Sequence, residues 1–279
     1  MAPHSALPRR PLTVGELLDA AAQLMRNRAM ILIPVVVLLA CAEQALLYPL
    51  RVFLGVDFFY EGFTDGFAET LGSLWIVMSI GCGLEAMIIT LLGTRTGAAA
   101  ADDLTGAETG WSALVPRRRD LGALLVSAPV AGLTTAVTAF FGPLWIVGYG
   151  LFSMAGAVMG LERRGPLRSL GRAAAMAFRN GMRGIGVRVL GYFAWVLLRL
   201  GFLLGMVALL NMLPLSDLGS AWVMGAGFVV ANCAAYLFLA ALDATVLVEG
   251  RFRSEGFDIW LSRAQQHATL TPQLLAAQK

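Results

Sequence analysis

Residues Met30–Leu50 read MILIPVVVLLACAEQALLYPL, an apolar run whose one charge is Glu43, with Arg26 and Arg28 ahead of it and Arg51 directly behind. A bilayer's hydrocarbon core is about 30 Å thick and takes about 20 residues of helix at roughly 1.5 Å each. The run has that length. Five more of similar length and composition follow: Leu71–Leu92, Leu121–Phe141, Leu144–Leu161, Ile185–Leu210 and Ala221–Val248. The sequence therefore predicts an all-α integral membrane protein with six transmembrane helices arranged as three hairpins.

Charge sets an expected orientation. On alternating spans, Arg9, Arg10, Arg26, Arg28, Arg95, Arg117–Arg119, Arg163–Arg188, Arg251–Arg263 and Lys279 share one face, which accounts for all 21 Lys+Arg residues except Arg51 and Arg199. The opposite face keeps Arg51 with Asp57, Glu61, Asp65, Glu69 and Asp217. Basic residues stay cytoplasmic, so both termini are expected inside. Residues 1–29 then form a cytoplasmic tail with an interfacial helix, 30–248 the membrane domain and 249–279 a second cytoplasmic tail. Composition agrees, with a mean hydropathy of +0.72 and only 14% charged residues. Every basic residue but Lys279 is Arg, which suggests a GC-rich genome and a bacterial inner membrane. The basic rim should attract anionic lipid headgroups, at about 1 kcal/mol per near-surface Arg. Its arginines are spread over juxtamembrane loops with no folded basic module behind them, so nucleic acid is not an expected partner. Residues 1–12 are polar and Pro-rich, and no cleavable signal segment is expected there.

Short amphipathic segments sit ahead of the spans. Thr13-x-x-Glu16 reads as a capping box opening a helix to about Asn27. Its apolar positions Val14, Leu17, Leu18, Ala21, Leu24 and Met25 recur at helical spacing, and it is too short to span, so it is expected to lie in the interface. Pro166 opens a similar segment with Leu167, Leu170, Ala174, Ala177 and Phe178 on one face. Residues 20–27 (AAAQLMRN) and 173–180 (AAAMAFRN) share five identities in eight. A weaker copy at Trp111-Ser-Ala-Leu-Val115 completes a candidate threefold repeat of interfacial helix, Arg-rich turn and hairpin. Between the first two spans, Asp57, Glu61, Asp65 and Glu69 alternate with Phe59, Phe63 and Phe67 at spacings of four. That pattern predicts an outer-surface helix with a Phe face in lipid, serving either as a connector or as a platform for a cationic ligand or partner.

Four charges are read as lying within spans: Glu43, Glu85, Arg199 and Asp243. Such groups cost about 2.5–3.5 kcal/mol each on insertion scales and face the bundle interior. Glu43 and Arg199 each lie roughly 20 Å above the cytoplasmic edge of their spans, so an ion pair between them is expected. Glu85 falls nearer the inner face, and Asp243 close enough to it to meet interfacial water. These groups are either packing determinants or part of a substrate or proton path. Gly156-x-x-x-Gly160 and Gly201-x-x-x-Gly205 permit close helix approach, within the bundle or between copies of it. Cys41, Cys82 and Cys233 read as small buried hydrophobes.

The missing sets bound the chemistry. His4 and His267 lie in the terminal tails, which removes a Ser–His dyad and a His-based zinc site. There is no Walker A motif, and Asp102-Asp103 stands alone in an Ala/Gly-rich stretch. No enzyme activity, metal or cofactor is expected.

After the last span comes Glu249-Gly-Arg251-Phe-Arg253-Ser-Glu255-Gly256-Phe257-Asp258-Ile259. It resembles the C-terminal signature of the membrane-domain family named after glycerophosphoryl diester phosphodiesterase. Leu12-Thr-Val-Gly-Glu16-Leu-Leu-Asp19 and Leu161-Glu162-Arg-Arg-Gly165-Pro-Leu-Arg168-Ser-Leu170 are similar to that family too. The resemblance implies a six-helix domain in a bacterial inner membrane, without the soluble phosphodiesterase domain that some relatives carry. Asp243 is an acid that the family pattern does not require. In the signature, Arg251 and Glu255, four apart, are spaced to pair on a helix, whereas Arg253 and Glu255 are not. The segment either anchors the chain at the headgroup level or docks on the Arg168–Arg183 region as a latch.

The function expected is that of a non-enzymatic accessory or scaffold protein. It would bind anionic lipid or a partner protein at its basic face through Arg168, Arg172, Arg179, Arg183, Arg251, Arg253 and Glu255, with a homodimer as a further mode of association. The alternative is a transporter or lipid translocator using Glu43, Glu85 and Arg199.

Overall fold

The computed structural model describes residues 7–56, 67–107, 118–214, 216–267 and 269–277. Among them there is helix and no strand. In chain order the elements are α1 (Val14–Phe53), α2 (Phe67–Thr105), α3 (Arg118–Gly122), a π turn (Ala123–Ser127), α4 (Ala128–Phe140), a 3-10 turn (Gly142–Leu144), α5 (Trp145–Phe152), α6 (Ala155–Glu162), α7 (Pro166–Phe178), a 3-10 turn (Arg179–Met182), α8 (Arg183–Leu210), α9 (Asp217–Glu255), α10 (Phe257–His267) and α11 (Pro272–Ala277). Among the described residues, six stretches are long and apolar enough to cross a membrane: Val14–Phe53, Leu71–Thr105, Asp120–Phe140, Gly142–Glu162, Arg183–Leu210 and Gly219–Glu255.

The burial pattern suits a lipid solvent. The interior is rich in small residues such as Ala86, Ala100, Ala155, Ala157 and Ala240, whereas Leu38, Leu125, Leu133, Leu197, Leu204 and Val230 point outward. With apolar chains outside as well as inside, burial of large side chains gives little drive to associate, and close backbone packing takes over. α2 is the hub: it packs on α1, α4, α6 and α9, while α9 also carries α1 and α8. Gly156 and Gly160 of α6 seat against Gly93 and Gly97 of α2, so close that a Cβ on Gly156 would meet the Thr90 carbonyl oxygen at 1.8 Å. This GxxxG pair therefore serves packing within the bundle. Gly201 and Gly205 have nothing within 4 Å of a Cβ and pack on nothing described.

Several boundaries differ from the sequence reading. The interfacial helix expected before the first span is the opening of a single 40-residue α1. Its capping box forms as read: Glu16 N–H donates to Thr13 Oγ1 at 3.3 Å and Thr13 N–H to Glu16 Oε2 at 2.7 Å. No helix breaker stands between Asn27 and Met30, so nothing stops the helix there. Its apolar face, Leu17, Ala20, Ala21 and Leu24, packs on protein with Leu104, Leu247 and Phe257. α7 is separate, with Pro166 at its first turn and the left-handed Met182 (φ 63°) dividing it from α8. The two matching octapeptides thus occupy different structural settings. The middle copy at 111–115 and the outer loop at 57–66 lie outside the described residues.

The third span takes its π turn just ahead of Pro129, whose missing N–H relaxes the helical ladder. The fourth breaks at Ser153–Met154, between α5 and α6. α2 and α9 run well past the expected ends at Leu92 and Val248. Both described terminal segments pack against the same arginine-rich end. Leu7 N–H donates to Asp103 Oδ2 (3.0 Å), and Leu7, Leu270 and Leu275 share one core cluster.

Candidate functional site

At the arginine-rich end the signature segment is tied to its surroundings by charge. α9 stops at Gly256, whose φ of 60° is the left-handed cap that glycine adopts at no steric cost. The turn brings Phe257 back under Arg251, guanidinium carbon 3.8 Å from the ring centroid. Arg251 Nε reaches Glu255 at 3.2 Å, one turn along the same helix. Glu255 also accepts from Arg172 (2.6 Å) and Arg179 (2.5 Å). Glu162 receives Arg172 at 2.9 Å and Arg164 at 2.6 Å. Glu249 accepts from Arg183 (2.5 Å) and from Arg253, and both arginines also donate to the Leu12 carbonyl at 2.9 Å. Burial works against the charge of Arg172, but its bonds to Glu255 and Glu162 more than offset it and hold the guanidinium above its usual range. Arg168 stands apart from this network, exposed on α7.

A cleft opens between α7, α8 and α9, with Arg179, Arg183 and Glu249 at its edge and Met154, Met176 and Val246 along its walls. Arg188 closes its inner end, with a side chain only 1% exposed. Its Nε donates to Asp243 Oδ1 at 2.6 Å, its Nη1 to the Gly150 carbonyl at 2.8 Å and its Nη2 to the Tyr149 carbonyl at 3.1 Å and to Ser153 Oγ. The break after α5 leaves the Gly150 carbonyl without its helical donor, and the guanidinium satisfies it, while the Tyr149 carbonyl also keeps the Ser153 N–H at 3.3 Å.

This centre corrects two readings. The charge pattern places Arg188 on the basic rim, yet it lies inside its own span and is buried. Asp243 was expected at interfacial water but is fully buried, because α9 continues for three more turns to Glu255.

The expected Glu43–Arg199 ion pair is not formed. Arg199 Nη1 pairs with Glu85 Oε1, and Tyr192 O–H donates to Glu85 Oε2 at 2.6 Å. Glu43 instead accepts from Tyr236 O–H (2.6 Å) and Asn232 Nδ2 (2.9 Å), both of α9. Glu43 and Arg199 share a level but not a direction: α1 packs along α9 and α2, and α8 packs on α9 and α5. Glu85 is also deeper than the short second span implied, since α2 runs on to Thr105. Tyr236 O–H lies 3.5 Å from Glu85 Oε1, which links the two acids into one four-helix centre.

Tyr192, Tyr236, Asn232, Ser153 and Arg188 were absent from the candidate residues. Their signal was present as register. Arg188, Tyr192 and Arg199 fall at i, i+4 and i+11 on α8, and Asn232, Tyr236 and Asp243 repeat that spacing on α9. Each set forms one polar stripe on an otherwise apolar helix.

No family model, curated protein or solved structure matches this chain. Among the described residues no three His, Cys, Asp or Glu side chains converge as a metal site.

Proposed function

We propose that this chain is a non-enzymatic, multi-pass protein of a bacterial inner membrane, related to the phosphodiesterase-associated membrane domains that its C-terminal signature resembles. In this reading the spans form three hairpins, both termini are cytoplasmic, and the arginine-rich end holds anionic lipid headgroups. The observation that carries the reading is α7. Its buried face is Leu170, Ala173, Met176 and Ala177, while Leu167 and Phe178 are 72% and 60% exposed along one edge, beside exposed Arg168 and Arg179. A large apolar side chain next to an arginine row suits the boundary between acyl chains and headgroups. Arg163 and Arg118 add exposed positive charge at the same end.

Arg172, Arg179, Arg183, Arg251 and Arg253 already hold the carboxylates of Glu162, Glu249 and Glu255, so their first role is to fix the end of the bundle. The headgroup contacts belong to the exposed set. Native mass spectrometry of protein extracted in its own lipids tests this. Wild type is expected to retain anionic lipid, and the Arg163→Gln/Arg168→Gln variant to lose most of it while staying folded. Equal retention by the two, or wild type bound stoichiometrically to a second polypeptide in place of lipid, would count against the reading.

A further inference from the structure

The Glu43–Glu85 centre holds two carboxylates and one guanidinium at mid-bundle. Glu85 has the ionic partner, Arg199, together with Tyr192. Glu43, 3% exposed, has only neutral donors, Tyr236 and Asn232. Among the described residues, no charged group hydrogen-bonds or ion-pairs with Glu43. Arg51 interacts with Glu43 by charge from two turns along α1, without a hydrogen bond, and its guanidinium lies over the Phe228 ring at 4.8 Å. The Cys82 thiol of α2 sits 3.9 Å from Tyr192 O–H. Cys233 of α9 is a half-buried free thiol, and Tyr149 of α5 packs its ring on Tyr192 at 5.3 Å. With both acids ionised, only Glu85 has an ionic partner in contact, and Glu43 would be a buried charge held by neutral donors alone, a costly arrangement inside a membrane.

Arg199 supplies a second, independent observation. Its Nη1 is used by Glu85, but its Nε and Nη2 are buried and have no hydrogen-bond partner among the described residues. Nε and Nη2 form the guanidinium edge that matches a carboxylate with two parallel bonds. That edge is sealed from solvent, so the group that fills it must already be packed nearby. The Tyr236 ring lies 5.4 Å from the Arg199 guanidinium, and the Tyr236 hydroxyl holds Glu43.

We propose that this centre is a proton-binding site, in which a neutral Glu43 leaves Arg199 to Glu85 and an ionised Glu43 takes the vacant Nε–Nη2 edge. In the protonated state the proton sits on Glu43 Oε1, since Oε2 accepts from Asn232. Tyr236 then accepts from Glu43 and turns its own O–H to Glu85 Oε1. On release the Glu43 O–H bond breaks, its electron pair stays on the carboxylate, and the proton passes to water. Tyr236 donates to Glu43 again, and Arg199 bridges both acids. The movement couples α1 to α8, which otherwise meet through α9 and α2, so proton uptake and release shift the packing of α8.

Infrared difference spectroscopy of the full chain in nanodiscs, with isotope-labelled glutamate to separate Glu from Asp243, reads the protonated carboxyl directly. Wild type should show one glutamic-acid carbonyl band at neutral pH that disappears as pH rises. Glu43→Gln, the same shape as the protonated acid, should remove it. Glu85→Gln should also remove it, because Arg199 is then released to Glu43. Arg199→Gln should double it. The proposal is overturned by a wild type without the band at any pH where it is folded, or by a band that survives Glu43→Gln. Should Arg199→Gln fail to fold, the two Glu→Gln variants still decide the matter.

Discussion

Arg188 makes bonds to Asp243, Ser153 and two carbonyls with no solvent to replace any of them. Removing one partner of a buried ion pair leaves the other uncompensated, at about 3–5 kcal/mol. Arg188→Gln or Asp243→Asn is therefore expected to lower the unfolding midpoint in detergent sharply. The double variant should recover part of the loss, because it leaves no lone charge; a double variant no more stable than the singles would show that the pair is not what the centre contributes. The sequence made the four acids and bases of the spans visible as exceptions to an apolar background. It could not pair them, because depth along a helix is one coordinate and the direction a side chain faces in the bundle is the other. The polar stripes on α8 and α9 carry that second coordinate, and they become legible only when Tyr and Asn are read alongside the charged residues.

At the scale of elements, small residues decide which helices touch. Gly156→Val would drive a side chain into the α2 backbone at Thr90 and Gly93. Backbone cannot give way like the end of a flexible chain, so a loss above about 3 kcal/mol is expected, the upper end of ordinary overpacking. Gly201→Ala and Gly205→Ala meet open space and should leave denaturation midpoints unchanged; equal sensitivity at both motifs would contradict the packing described for α6.

The latch between α9 and α7 is a second element-scale prediction. Glu255→Gln removes the carboxylate shared by Arg172, Arg179 and Arg251. Part-exposed pairs are worth little each, so a cost of about 1–2 kcal/mol is expected for the network. The local effect should be easier to see, as faster proteolysis of α10 and α11. A wild-type cleavage rate would mean that Phe257, Leu261 and Leu275 hold the tail by burial alone. The Arg251–Glu255 spacing was readable from the sequence because it is local to one helix. The contacts from Arg172 and Arg179 were readable only as one of two options, since they depend on how α7 folds back. The continuous α1 was missed for a related reason: amphipathic spacing over residues 14–27 suits an interface helix and equally the buried end of a long one.

For the whole molecule, six membrane-capable helices follow from composition and run length and were legible; of the small-residue interior, the sequence showed only the two GxxxG motifs, without saying which one packs inside the bundle. Which end faces which compartment rests on the arginine distribution, and the lipid reading rests on that orientation. α8 shows the dependence most clearly. Only 6% of its most apolar window is buried inside the protein, so outside a bilayer it would expose a continuous apolar surface. The orientation can be read chemically from two exposed positions at opposite ends, Met212 between α8 and α9 and Ser262 on α10. In a background with Cys41, Cys82 and Cys233 replaced by serine, Met212→Cys should react with a membrane-impermeant thiol reagent in intact cells. Ser262→Cys should react only after the membrane is opened. Labelling of Ser262→Cys in intact cells, with Met212→Cys protected, would reverse the orientation and remove the basis for a cytoplasmic lipid-binding face.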